Sequence, residues 1–324
     1  MSRLGKEIIE GKIKAAAELI RKVEEESPDV YEDMHYLYPH TGKAYILGMT
    51  GLPGSGKSTI VNLLIKHFRE QGKSVGVVAV DPSSPITSGA ILGDRVRMIE
   101  HSIDDKVFIK SLATRGWYGG LSRSAARIIN ILDAMGKDVI ILETVGVGQT
   151  EVSIMNFAHT TVLVLVPEMG DYVQTIKAGV LEIGDIFVIN KIDKTDPGEL
   201  FQNMQTLINN RDYLSGGQPN QQVWQQKIIL TSAMAKKGFD ELIREINGHR
   251  DYFLKFKREQ YLRQRAAQEL KDEVYSYFVD FFREKFESEE KFGKIIESIT
   301  RKKADPYEEA LKIIESLNLK KQKI

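Results

Sequence analysis

The chain has 324 residues, 42% of them hydrophobic, with nine prolines and no cysteine; that length suggests two ordinary folded domains and excludes a disordered or collagen-like chain. Lys plus Arg and Asp plus Glu both number 45, so no overall basic field exists to hold nucleic acid or anionic lipid, and neither is expected as a partner. Without thiols there are no disulfides, thiolate metal sites or cysteine nucleophiles.

The opening stretch is too charged for a secretory signal, and no run of 18 apolar residues occurs, so the protein is expected in the cytoplasm, neither crossing nor entering a membrane. Leu4, Ile8, Ile9, Ile13, Ala16, Ile20 and Val23 recur at helical spacing with charges between them, which predicts one amphipathic helix ending before Ser27-Pro28. A short second helix is expected over Val30–Leu37. From residue 44 the pattern changes to brief apolar runs closed by turn residues: Ala44–Met49, Val75–Val80, Val107–Ile109, Val139–Leu142, Val162–Val166, Ile186–Ile189 and Ile228–Leu230. Continuous rather than alternating apolarity marks strands buried on both faces. With helix-length segments between them, they predict an α/β fold, a doubly wound, mainly parallel sheet.

Beyond about residue 250 charges crowd together and only Gly293 and Pro306 interrupt them, which predicts helices. Tyr252, Phe253, Phe256, Tyr261, Leu262, Val274, Tyr277, Phe278, Phe281, Phe282 and Phe286 supply an aromatic stripe that a long helix does not leave in water. It either packs on the preceding domain or pairs with a second copy. The expected division is a helical extension over 1–42, a central α/β domain over 43–250 and a helical arm over 251–324.

Gly51-Leu-Pro53-Gly54-Ser55-Gly56-Lys57-Ser58-Thr59 fits G-x-x-x-x-G-K-[ST] and follows a predicted strand and precedes a predicted helix, as a P-loop must. Glycines let consecutive N–H groups turn inward around phosphate oxygens, and the helix N-terminus adds partial positive charge. Lys57 is expected to reach the β/γ-phosphates and Ser58 to offer its hydroxyl to Mg²⁺. Asn190-Lys191-Ile192-Asp193 and Thr231-Ser232-Ala233 follow two further strands. An aspartate carboxylate accepts from guanine N1–H and the 2-amino group together, whereas adenine presents an acceptor and no amine there, so GTP/GDP is favoured over ATP.

Three carboxylates stand at other strand ends: Asp81, Asp94 and Glu143. Mg²⁺ takes one or two carboxylates beside phosphates and waters, so some of the three would act through water. Glu143-Thr-Val-Gly146 stands where many GTPases have D-x-x-G, the glycine amide reporting the γ-phosphate. Val147 follows, where a Ras-like enzyme has its water-orienting glutamine. Slow intrinsic turnover, on the order of 10⁻⁴ to 10⁻² s⁻¹ and accelerated by a partner, is therefore expected. For Gln149 two readings stand open, positioning water or starting a helix. The stretch from Lys110 through Arg115, Trp117, Tyr118, Gly119 and Gly120 to Arg123 reads equally as a partner surface or a packed turn. The six histidines show no ligand-like pairing.

The strings Val80-Asp81-Pro-Ser-Ser84-Pro85, Gly89 through Gly93-Asp94-Arg95, and Glu143-Thr-Val-Gly-Val-Gly-Gln149 closely resemble the MeaB/ArgK family of P-loop GTPases over nearly the whole chain. The resemblance implies a G-protein chaperone of an adenosylcobalamin-dependent acyl-CoA mutase, typically methylmalonyl-CoA mutase. GTP hydrolysis in such a protein gates cofactor delivery from an adenosyltransferase and supports removal of damaged cofactor, and the C-terminal arm makes a homodimer. Carried onto matching positions, Lys57 and Ser58 serve phosphates and Mg²⁺; Asp81, Asp94 and Glu143 the metal region; Asn190, Lys191 and Asp193 the base. Pro167 through Lys177 resembles the family's extra mobile segment, and Lys177 either brings positive charge to the γ-phosphate or is a surface lysine. Trp117-Tyr118 departs from the family pattern, which leaves a related acyl-CoA mutase open as client. Three rivals remain: a nickel-type metallochaperone GTPase, which would need metal ligands; an ATPase or kinase serving arginine/ornithine transport, against which N-K-I-D argues; and a nucleotide-dependent dimeric scaffold.

Overall fold

The computed structural model describes residues 2–82, 99–101, 103–114, 120–144, 156–169, 183–214, 223–282 and 290–316. Two compact units are present, Met1–Glu269 and Leu270–Ile324. No helix among the described residues is long and apolar enough to cross a membrane.

The first unit opens with three helices, α1 (Arg3–Ile9), α2 (Ile13–Glu24) and α3 (Val30–Leu37). The single amphipathic helix expected over residues 4–23 is thus two. Gly11 adopts φ +82°, and the amides of Gly11 and Lys12 bond back to the carbonyls of Ile8 and Glu7. A left-handed glycine terminates the helix by closing its last carbonyls, a signal the apolar spacing does not carry.

Among the described residues seven strands follow: β1 (Tyr45–Gly51), β2 (Val75–Pro82), β3 (Val107–Thr114), β4 (Val139–Thr144), β5 (Thr160–Leu165), β6 (Ile186–Ile189) and β7 (Lys227–Leu230). They form one sheet in the order β3-β2-β4-β1-β5-β6-β7, and every pairing is parallel. Between them run α4 (Lys57–Glu70), α5 (Gly120–Ala134) and α6 (Gly198–Leu214), followed by α7 (Phe239–Tyr252). Alternation along each strand feeds two layers. Ile46, Ile140 and Leu142 join α1, α2, α3 and α5 in one core, while Leu47, Met49, Val139 and Ile141 join α4 and α7 in another. Leu163, Leu165, Phe187 and Ile189 pack with α6. Helices therefore cover both faces, and the parallel strands bring all their carboxyl ends to one edge, where such sheets hold ligands.

One buried carboxylate fastens the connection between α3 and β1 to α5. Asp133, on α5, accepts hydrogen bonds from the amides of Gly42 at 2.6 Å, Lys43 at 3.1 Å and Ala44 at 3.0 Å. Replacing it by alanine leaves these amides without their acceptor. Asp133→Ala is expected to lower unfolding stability by about 3 kcal/mol, read from urea denaturation midpoints; an unchanged midpoint would contradict this role.

His159 introduces β5. Its Nδ1 accepts from the Ile46 amide at 3.2 Å, and its ring stacks on Phe253 at 4.6 Å. Burial, with the nearby guanidinium groups of Arg265, Arg258 and Arg250, pushes the imidazole down from 6.5 to about 3. Below its ordinary value the unfolded chain binds a proton that the folded one refuses. Stability is therefore full above about pH 6.5 and drains as pH falls toward 3. Relative to His159→Asn, the wild type is expected to lose about 1 kcal/mol more from roughly pH 6 to pH 5; parallel curves from pH-resolved denaturation would contradict the assignment.

After α7 the chain passes through one π-helical turn, Phe253–Lys257, into α8 (Arg258–Phe282). The boundary between the two units falls within α8. Unit two contains the end of α8, then α9 (Glu290–Thr300) and α10 (Pro306–Ser316), with the Phe282 and Phe292 rings edge-on at 6.0 Å.

Candidate nucleotide site

β1 ends at Gly51 and α4 begins at Lys57, so the P-loop spans a strand end and a helix start, as the motif requires. Gly51 has φ +137°, and a Cβ there would lie 2.2 Å from the Val164 carbonyl oxygen. Gly56 has φ +95°, and a Cβ there would lie 2.3 Å from Asn190 Nδ2. Only glycine permits both the turn and the close approach. Pro53, Gly54 and Ser55 complete the loop, and Thr59 lies in the first turn of α4. The Lys57 ammonium arches over the loop, donating to the carbonyls of Gly51 at 2.8 Å and Leu52 at 2.9 Å.

Beside the helix start, the Ser58 hydroxyl donates to Glu143 Oε1 at 2.7 Å. Both side chains are buried. Glu143 lies near the end of β4, in register with Met49 of β1 and Ala79 of β2. One residue on, the Thr144 hydroxyl donates to that of Thr50 at 2.9 Å, fastening the two strand ends that carry the loop and the carboxylate. Neither threonine carried a signal in the sequence. Asp81 stands in β2, two positions beyond the residue facing Glu143; its side chain lies outside the described residues, as do Asp94, Gly146, Gln149, Lys177, Trp117 and Tyr118.

The N-K-x-D and T-S-A segments are brought to the same edge by β6 and β7. Asn190 is buried and bonds three ways: its Nδ2 donates to the Ser55 carbonyl at 2.9 Å, while its Oδ1 accepts from the Thr231 hydroxyl and the Ala233 amide, each at 3.0 Å. It therefore stitches the P-loop to both segments, a role that spacing alone did not disclose. Lys191 takes a left-handed conformation, φ +64°. Asp193 is exposed. The buried Ser232, first, and Asp193's own backbone amide hold its carboxyl below the usual carboxylate range. Its charge therefore persists through neutral pH, as an acceptor for two N–H donors requires.

A hydroxyl and a carboxylate oxygen in one buried pair form the donor set that a hard divalent cation prefers. Among the described residues no group of three His, Cys, Asp or Glu side chains is arranged to hold a metal.

The family model described as methylmalonyl-CoA mutase-associated GTPase MeaB matches residues 16–287. A Pyrococcus abyssi protein named as a GTPase is 42% identical, the match covering 95% of this chain and 94% of that one. The Escherichia coli GTPase ArgK is 36% identical over 64% of this chain and 61% of its own. The mitochondrial methylmalonic aciduria type A homolog of Mus musculus is 38% identical over 60% of this chain and 46% of its own. Among solved structures, one described as an LAO/AO transport system kinase superposes with a TM-score of 0.66 at 22% identity, covering 97% of this chain and 96% of that one; at that identity the likeness is one of fold.

Proposed function

This chain belongs to the family of methylmalonyl-CoA mutase-associated GTPases, and from that premise we propose that it hydrolyses GTP to GDP and phosphate to gate adenosylcobalamin loading and protection of an acyl-CoA mutase, methylmalonyl-CoA mutase first. The observation that carries the nucleotide reading is the Asn190 stitch, which holds the phosphate loop and the base-reading segments at one edge of the sheet. Backbone amides of residues 51–59, with Lys57, cradle the phosphates; Asp193, with Lys191, Ser232 and Ala233, takes the guanine. Mg²⁺ would be held by Ser58 with Glu143, directly or through water, with Asp81 and Asp94 as further carboxylates; it supplies neutralisation of phosphate charge.

Glu143 and Ser58 keep the metal region polar and fixed. Gly146 reports the γ-phosphate, Gln149 orients water, and Lys177 adds positive charge in the partner-assisted state. With Val147 in place of a glutamine, unassisted turnover is slow. Support for a homodimer through the arm comes from Leu270, Val274, Tyr275, Tyr277 and Phe278, all exposed within the second unit, an apolar surface that a lone helix in water does not favour. An adenosyltransferase is the source from which the cofactor would be received.

The experiment is a mutase inactivation assay. Adenosylcobalamin-loaded methylmalonyl-CoA mutase is run to exhaustion alone, with the protein and GDP, and with the protein and GTP. Slower inactivation, or recovery on adding fresh cofactor only with GTP, is the expected result. Identical inactivation in all three arms, with no complex formed by the purified proteins, would overturn the chaperone reading while leaving GTP hydrolysis untouched.

A further inference from the structure

We propose that a groove at the amino end of β7 is a second small-molecule site, built to take a nucleoside phosphate, its base laid on an aromatic wall and its phosphates among three cations. The groove lies at the edge of the sheet opposite the P-loop, and the proposal stands whether or not the guanine reading does.

The segment entering β7, the helix α7 and the π-helical turn after it enclose about 600 Å³, the size of a pocket for one small molecule. Its wall is made of Trp224, Tyr252 and Phe256, with successive ring centres 5.6 and 5.4 Å apart. Trp224 is fixed from behind. Its indole N–H donates to the Asp185 carbonyl at 2.9 Å, and its ring meets the buried His249 edge-on at 4.8 Å. Phe256 remains 42% exposed. Held rings with a solvent-facing surface form a stacking platform for a planar base, and stacking of that kind tolerates any base because each has a π-face.

Charge specifies the rest of the ligand. Lys227, Arg244 and Lys255 line the groove against one carboxylate, Glu245. Among the described residues Lys227 and Lys255 have no ion-pair partner, and Arg244 meets Glu241 and Glu245 loosely, at 3.7 and 3.9 Å. The Lys255 ammonium lies 5.0 Å from the centre of the Phe256 ring, so positive charge stands directly beside the stacking wall. In a chain of zero net charge this is a local excess, complementary to an anion joined to a flat ring. Gly248 makes the room. It sits inside α7, where glycine is a poor helix former, yet a Cβ there would meet the end of the Trp224 ring at 3.6 Å, an ordinary contact. Packing does not require glycine at this position; the open groove does. Lys255 and Phe256 are carried by the π-helical turn Phe253–Lys257, a distortion that recurs at functional sites.

The test is Trp224 fluorescence in the full-length protein carrying Trp117→Phe, which leaves Trp224 as the sole tryptophan. The protein, freed of excess nucleotide, is titrated with ADP, with coenzyme A and with a polyglutamate peptide. Saturable quenching by ADP or coenzyme A, half-complete below about 1 mM, is expected. Equal affinity for the two assigns the site to the adenosine diphosphate they share, and coenzyme A binding at least about tenfold tighter assigns it to that larger carrier. Gly248→Leu, which fills the groove with a better helix former, and the pair Lys227→Glu with Lys255→Glu are each expected to weaken binding at least about tenfold, thermal unfolding showing that each variant is folded. Quenching should persist in Lys57→Ala. No quenching by either nucleotide, quenching unchanged in both groove variants, or quenching lost with Lys57 would overturn the proposal. So would binding of the acidic peptide alone, which would make the groove a protein-docking surface.

Discussion

Asp193→Asn is expected to exchange the base that the protein accepts. The carboxylate is charged at neutral pH, its proton affinity lowered by the Ser232 hydroxyl and a backbone amide, and in the proposed reading it would accept from two donors on guanine, N1–H and the 2-amino group. Asparagine presents one acceptor and one amide donor, so its NH₂ meets the guanine amine donor to donor. Xanthine carries a carbonyl at that position, which the amide can serve. Sites built on such pairings reject the wrong partner strongly. Affinity for GDP should fall on the order of 10³-fold or more, with xanthosine nucleotides gaining, as read by displacement of a fluorescent nucleotide. Undiminished GDP binding would mean that Asp193 does not read the base.

The second large effect is expected at Lys57. Its ammonium is buried and already bridges the carbonyls of Gly51 and Leu52, so it both fixes the loop and brings charge to where phosphate oxygens would lie. Lys57→Ala should lower kcat for GTP on the order of 10²- to 10³-fold, the size expected for one preorganised donor at a developing charge. Denaturation of the same variant distinguishes lost charge from a collapsed loop. Any protection of the mutase should vanish with turnover; a nucleotide-dependent scaffold would keep its effect without hydrolysis.

Much of this was legible in the sequence because the signals were local. The strands announced themselves by continuous apolar runs such as Val139–Leu142 and Ile186–Ile189, since a strand covered on both faces has no polar side to interrupt it. The P-loop declared itself through Gly51 and Gly56, positions where a Cβ would strike backbone or side-chain atoms. What escaped notice was set by tertiary contact. Asn190 reads as one letter of a base-recognition motif, yet its bonds reach 135 residues back to Ser55. Asp133 resembles any acid near a helix end until Gly42, Lys43 and Ala44 are seen to converge on it. Tyr261 belonged to an aromatic stripe read as a whole, whereas Phe253 is buried in the first unit and Tyr277 stands exposed in the second. The break at Gly11 is visible as a residue and hidden as a conformation, because apolar spacing continues across it.

The central claim is that this chain is a slow GTPase whose turnover answers to an acyl-CoA mutase. GTP turnover measured with and without purified methylmalonyl-CoA mutase tests it most directly. An unassisted rate on the order of 10⁻⁴ to 10⁻² s⁻¹ that rises at least about tenfold when the mutase is added is expected, with no rise for Lys57→Ala. Fast turnover by the protein alone, indifferent to the mutase, would contradict it.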